Sequence, residues 1–222
     1  MIIIFVSGFK FSGKDTFSNF VKEYLDKAGQ KNKIVHLADK LKNSCSEHFK
    51  LSNKYMFDPD LKEIKFPRPM TMTRNIAEAI LDDFQEGSGK EFAEKHIGKK
   101  FSNPREIMQY VGTEVLRDLD EMTHCKHLEK DHLIDEETVY IVADHRFKNE
   151  SEYFKKNYTT ETYFITRKEM IPDKEGDLHI SERSMFEIMN TSCRVANDKS
   201  MEDLREEARD IARCYVAYKR NA

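Results

Sequence analysis

The chain opens on an unbroken apolar run, Ile2-Ile3-Ile4-Phe5-Val6, with no polar residue interleaved. Such a run predicts a strand buried on both faces, and five residues are far too few to cross a membrane. After a polar stretch the period changes. Phe17, Phe20, Val21, Tyr24, Leu25 and Ala28 recur at steps of three and four, the stripe of an amphipathic helix that Gly29 ends. Lys33–Leu37 reads as a second strand, followed by a helix from about Ala38 to Phe49. Residues 51–73 contain Pro59, Pro67 and Pro69 and read as irregular. Helical patterns return at about 74–85 and 90–99, and Pro104 opens a longer helix to about Leu119 with Asn103 as its cap. A short helix near 125–133 precedes the strand Val139–Val142. A helix near 148–156 leads to the strand Tyr163–Ile165, and Arg194–Ala196 reads as a last short strand.

In the final helix Met201, Leu204, Ala208, Ile211 and Tyr215 mark one apolar face. It reads as core packing against a sheet, with a homodimer seam as the competing reading. Strands that alternate with helices predict an α/β fold, a mostly parallel sheet with helices on both faces and ligands at the carboxyl ends of the strands.

The candidate chemistry sits between the first strand and the first helix, in Gly8-Phe9-Lys10-Phe11-Ser12-Gly13-Lys14-Asp15-Thr16. Strand, glycine-bounded loop, lysine and helix form the order of a phosphate-cradling loop, the P-loop. Gly8 and Gly13 let the backbone turn its N–H groups inward, and the helix adds its positive end. Lys14 then reaches the β- and γ-phosphates of a nucleoside triphosphate. A plain strand-to-helix turn is the alternative. Gly87-Ser88-Gly89-Lys90 looks similar, but Phe84 stands where the first glycine belongs and no strand precedes it, so it reads as a turn between helices. The residue after the loop lysine is usually Ser or Thr, whose hydroxyl binds Mg²⁺. Here it is Asp15, with Thr16 next, which argues against a GTPase switch and for a small-molecule kinase.

Asp144 follows the Val139–Val142 strand, where a second Mg²⁺-organising carboxylate belongs, and Arg146 is placed to aim at phosphates. A helix cap and a surface residue are the alternatives. Arg105, Gln109, Thr113 and Arg117 repeat every four residues opposite the apolar Ile107, Met108, Val111 and Val115. Two arginines on one face suit an acceptor phosphate; a solvated polar face explains the spacing equally well. Gly112 in mid-helix points to close approach by another backbone or a ligand. His124, Cys125, His127 and His132 match no zinc spacing.

Bulk properties narrow the class. The 222 residues are 35% charged and 39% hydrophobic, with a formal net charge of −3, which suits one domain with an embellishment and argues against nucleic acid as main partner. No signal peptide or membrane span is visible. Cys45, Cys125, Cys193 and Cys214 are widely spaced, in keeping with a reducing, cytoplasmic setting.

Taken in order, these segments resemble the deoxynucleoside monophosphate kinases of large bacteriophages and related viruses. Gly13-Lys14-Asp15-Thr16 is similar to that family's phosphate loop, Asp included. Leu37-Ala38-Asp39-Lys40-Leu41-Lys42 resembles a segment with proline where Lys40 stands, and Lys62-Glu63 a following Lys-Glu pair. Pro104–Glu114 with Arg117, Asp144–Glu150, His179–Glu182 and Asn197–Ser200 resemble its later signatures. Residues 70–102 look longer than in compact members, and Met122–Cys125 replaces an aromatic-bearing segment.

The resemblance implies a P-loop kinase fold in a single domain. Residues 1–50 and 136–222 form its core with a lid near 167–180, and 51–135 form a helical acceptor-binding insertion. It implies ATP- and Mg²⁺-dependent transfer to the 5′-phosphate of a deoxynucleoside monophosphate, in the host cytoplasm if the protein is viral. Residues 8–16 hold the donor phosphates, with Lys14, Asp15, Asp144 and Arg146 as the catalytic set. Asp15, Thr16 and Asp144 organise the metal. Arg167 offsets charge, Asn197 borders the donor's adenine, and Arg105, Arg117, Gln109 and Arg68 hold the acceptor. Rival readings are a phosphomevalonate-kinase-like enzyme, whose loop also carries Gly-Lys-Asp, and a non-catalytic nucleotide sensor.

Overall fold

The computed structural model describes residues 1–172 and 179–221, which divide into two compact units: 1–37 with 128–222, and 38–127. Among the described residues the strands, in chain order, are β1 (Ile2–Ser7), β2 (Asn32–Val35), β3 (Met70–Thr71), β4 (Lys100–Phe101), β5 (Val139–Val142), β6 (Thr159–Thr166) and β7 (Cys193–Ala196).

In the first unit five strands form one sheet in the order β2-β5-β1-β6-β7, every neighbouring pair parallel. β1 lies at its centre. Ile2 to Val6 are at most 2% exposed, which explains a strand with no polar alternation. Burying each such side chain contributes about 1.5–3 kcal/mol. The helix Lys14–Lys27 lays Phe17, Phe20, Val21 and Leu25 into this core, and the final helix, Met201–Asn221, adds Leu204, Ala208, Ala212 and Tyr215. Met201, expected on the buried face, is instead 60% exposed at the helix start, and Ala212 is buried there.

The second unit is mainly helical: Asp39–His48, Asn53–Phe57, Arg74–Phe84, Ser88–Phe92 and a segment beginning at Pro104. Leu41, Phe49, Met56, Met72, Leu81 and Phe101 lie in its own core. The two-residue strands β3 and β4 pair antiparallel within it. They are too short to leave a periodic signal: β3 falls within the stretch 51–73 read as irregular, and β4 between the helix expected to 99 and the one opened by Pro104. The irregular reading of 51–73 also missed the one-and-a-half-turn helix at 53–57. Of the Gly87–Lys90 stretch, read as a turn between helices, only Gly87 lies in the turn; it is left-handed, and Ser88–Lys90 already belong to the helix Ser88–Phe92.

A larger omission is Ile180–Thr191, a 12-residue helix capped by His179, whose ring accepts the Ser181 N–H. Its buried Ser181, Met185 and Ile188 include only two apolar residues, too sparse a stripe to stand out. The lid expected near 167–180 falls partly outside the described residues. Among those described, no helix is long and apolar enough to cross a membrane.

Candidate active site

Because β1, β5, β6 and β7 run parallel, the residues that follow them gather at one edge of the sheet. After β1 the chain turns through Gly8–Gly13. Ser12 N–H donates to the Phe9 carbonyl at 3.1 Å, and Phe17 N–H closes the first helical turn on Gly13 at 2.9 Å. Gly13 sits at φ 94°, a left-handed conformation that a β-carbon disfavours, and it places Lys14 at the helix start. Phe11 takes φ 64° without being glycine and leaves its ring 65% exposed.

The ends of β6 and β7 brace this loop. Asn197, just past β7, donates its backbone N–H to Thr166 at 2.7 Å and its side-chain Nδ2 to the Ser12 carbonyl at 2.8 Å. One Nδ2–H of the amide is therefore committed to the loop backbone. Asp198 accepts the Lys168 N–H at 2.7 Å, and Arg167 stands exposed between β6 and that turn.

Past β5, Asp144 Oδ1 accepts the Leu37 N–H at 2.7 Å. His145 is buried, and its backbone carbonyl accepts Ser7 Oγ at 2.7 Å. The Arg146 and Phe147 N–H groups both donate to the buried Glu150 carboxylate at 3.0 Å, and the Arg146 carbonyl accepts Ser184 Oγ at 2.5 Å. Main-chain contacts thus fix where Arg146 leaves the backbone. Ser7, Glu150 and Ser184 are positioning residues the sequence reading did not single out; Glu150 lay within a recognised segment, and Ser184 on the helix that was missed.

These groups share one field. Burial lowers the Lys14 pKa from its ordinary value; Asp15 opposes this, Arg146 adds to the lowering, and Asp144 opposes it. Lys14 Nζ lies 3.7 Å from Asp15 Oδ2, with Lys14 19% and Asp15 73% exposed. Lys14, Asp15, Asp144 and Arg146 are therefore brought together. The donor set for a metal is all oxygen: the Asp15 and Asp144 carboxylates and the Thr16 hydroxyl. Among the described residues no group of three or more His, Cys, Asp or Glu is placed to hold a metal ion. Magnesium does not require one, since it is commonly held by one or two carboxylates together with substrate phosphates and water. The residues fit Mg²⁺ on that basis.

The second unit's candidates lie on the segment that starts at Pro104. Asn103 Oδ1 accepts the Glu106 N–H at 2.9 Å, and Glu106 reaches back to the Ser102 N–H at 2.6 Å, a capping pair with proline at the first position. The segment is not the uniform helix expected. Pro104–Tyr110 is α-helical, Val111–Val115 is π-helical and Leu116–Leu119 is α-helical again. The π turn matters for the arginines. At 100° per residue, Arg105 and Arg117 would point about 120° apart on an ideal helix; one extra residue in the wider turn reduces this to about 20°. They share a face but stand roughly 17 Å apart along the axis. Arg105 Nε donates to Glu63 Oε1 at 2.5 Å. Gln109 is half-buried, its carbonyl accepting Thr113 Oγ1 at 2.6 Å, and Arg68 stands on an exposed bend.

A parallel sheet that turns through a glycine-bounded loop into a helix headed by lysine, with an acid and an arginine at the neighbouring strand end, defines the P-loop kinase class of α/β phosphotransferases. A sequence model of the deoxynucleotide monophosphate kinase family matches residues 71–208. That is more than half of the chain, and the protein belongs to this family, as an enzyme that phosphorylates deoxynucleoside monophosphates. The match takes in the segments at 104–117, 144–150 and 197–200; the phosphate loop lies before it and stands on its own geometry. No curated protein matches the chain. Nothing observed favours the phosphomevalonate or sensor readings.

Proposed function

We propose that the donor is ATP with Mg²⁺, bound by the loop at 8–16, and that its γ-phosphoryl group passes in line to the 5′-phosphate of the acceptor. The supporting observation is the convergence of Lys14, Asp15, Asp144 and Arg146 at the mouth of a loop braced by Asn197. Two cations in mutual repulsion, one of them desolvated, are relieved by an arriving polyanion.

The roles follow from position. The N–H groups between Phe9 and Lys14, with the Lys14 ammonium, hold the β- and γ-phosphates. Asp15, Thr16 and Asp144 would hold the metal, which when bound neutralises charge on the phosphate oxygens. Arg146, fixed through Glu150 and Ser184, offsets charge on the transferring group, and Arg167 assists from the end of β6. Arg105 and Arg117 supply cations for the acceptor phosphate, with Gln109 and Arg68 helping to place the acceptor. Asn197 supports the loop through its amide nitrogen on Ser12, and the rest of its side-chain amide borders the donor's adenine. Such catalysis is mostly positioning and charge stabilisation.

Lys14→Ala tests this reading. Turnover of ATP with a panel of deoxynucleoside monophosphates should fall about 100- to 1,000-fold with the far-ultraviolet circular dichroism unchanged. Unaltered turnover refutes the mechanism. The same panel, extended to ribonucleotides, establishes base and sugar preference.

A further inference from the structure

Lys62-Glu63 belongs to a segment without an assigned role, yet Glu63 meets the arginine proposed to bind the acceptor. Its carboxylate takes the Arg105 Nε proton at 2.5 Å, and among the described residues this is the only partner of the Arg105 side chain. The contact is made at the side of the guanidinium. The terminal edge, with both Nη nitrogens, remains available, and that edge grips a phosphate through two parallel hydrogen bonds.

Both ends of the contact are anchored. Glu63 closes the 3₁₀ turn Leu61–Glu63, and three residues later the Phe66 N–H donates to the Ser102 carbonyl at 2.7 Å, directly ahead of the Asn103 cap. The cap fixes Arg105 in the first helical turn. The pair itself contributes little to stability: Glu63 is 46% exposed, and an exposed ion pair is energetically weak.

We propose that Glu63 is a positioning residue for the acceptor, orienting Arg105 so that its terminal Nη edge faces the monophosphate. This rests on the reading of Arg105 as an acceptor ligand. An arginine held at Nε loses less rotational freedom on binding, so removing the carboxylate weakens acceptor binding and leaves the donor alone. The carboxylate acts through its oxygen as an acceptor of the Nε proton, so glutamine, which keeps that oxygen, preserves the orientation.

Steady-state kinetics on the full-length enzyme test this with Glu63→Ala, Glu63→Gln, Arg105→Ala and the Glu63→Ala/Arg105→Ala double variant. Glu63→Ala should raise the KM for the deoxynucleoside monophosphate about tenfold, with kcat, the KM for ATP and the melting temperature nearly unchanged. Glu63→Gln should restore most of the affinity, and in the Arg105→Ala background Glu63→Ala should have no further effect. An unchanged or lowered acceptor KM in Glu63→Ala overturns the proposal, the lowered value marking Glu63 as a competitor of the phosphate. So do additive effects in the double variant, or failure of glutamine to rescue. An unchanged acceptor KM in Arg105→Ala overturns it at its premise while the kinase reading stands; absence of transfer by the unaltered enzyme refutes both.

Discussion

Lys14 and Arg105 are similarly shielded, 19% and 24% exposed, yet they are held in different ways. Lys14 projects from a helix start set by a left-handed glycine, in a loop whose carbonyl is tied to Asn197 and whose neighbouring turn is clamped by Glu150. Arg105 projects from a capped helix, but its charged end is aimed by one partly exposed carboxylate. The sheet unit therefore organises its cations through the main chain, and the helical unit through a side-chain partner. Main-chain support is lost all at once when broken. Side-chain support is lost in degrees, as expected of the Glu63 variants.

Gly13→Ala strikes the main-chain support and carries the largest expected effect in this comparison. Alanine at φ 94° adds backbone strain, and its β-carbon falls 2.4 Å from Asn197 Nδ2, so that amide must leave the Ser12 carbonyl. Displacing a phosphate loop by about 1 Å reduces activity about 100-fold. kcat/KM for ATP should fall by that much, with the KM for the acceptor nearly unchanged. A loss below about threefold would mean that the loop tolerates movement as readily as a surface turn.

His145 shows a related rigidity in stability. It is 1% exposed, its Nε2–H donates to the Phe147 carbonyl at 2.9 Å, and its ring lies 5.0 Å from that of Phe5. Burial lowers its pKa from an ordinary 6.5 to about 4. Between those values the unfolded chain binds more protons than the native state, so native stability falls as pH drops from 6.5 towards 4. The contribution between pH 7 and pH 5 is about 2 kcal/mol. Urea unfolding at the two pH values should show a drop that is smaller by this amount in His145→Gln. Burial also lowers the pKa of His96 in the helical unit, so the wild-type slope alone is not diagnostic and the difference between proteins is.

What could be read from the sequence follows the same division. β1, the phosphate loop and the helix after it were legible because each is a local pattern: an unbroken apolar run, two glycines at fixed spacing and a three–four stripe. Asn103 and Pro104 likewise announced a helix start that formed as expected. The register of Arg105 and Arg117 was not legible, since a single π turn shifts it without changing composition. Glu150, Ser184 and Glu63 escaped because each acts on a residue brought to it by folding, Glu63 on an arginine 42 positions away. Local periodicity is silent about such pairs.

A second glycine separates the two modes of support at their smallest effect. Gly112 lies within the π turn, and a β-carbon there would stand 3.0 Å from Leu41 Cδ2 and 4.0 Å from His124 Nε2. Its close neighbour is thus the end of a leucine side chain, where the sequence suggested a backbone or a ligand. In Gly112→Ala the usual gain for alanine in a helix, about 0.8–1 kcal/mol, opposes the few tenths of an ångström by which Leu41 must yield. The net change in unfolding free energy should stay within about 1 kcal/mol, because a flexible methyl relaxes more easily than a hydrogen-bonded loop. Denaturant unfolding measures it, and the KM values for both substrates should hold within twofold. If stability holds while the acceptor KM rises, the glycine faces bound substrate, and the helical unit relies on its main chain as strictly as the phosphate loop does.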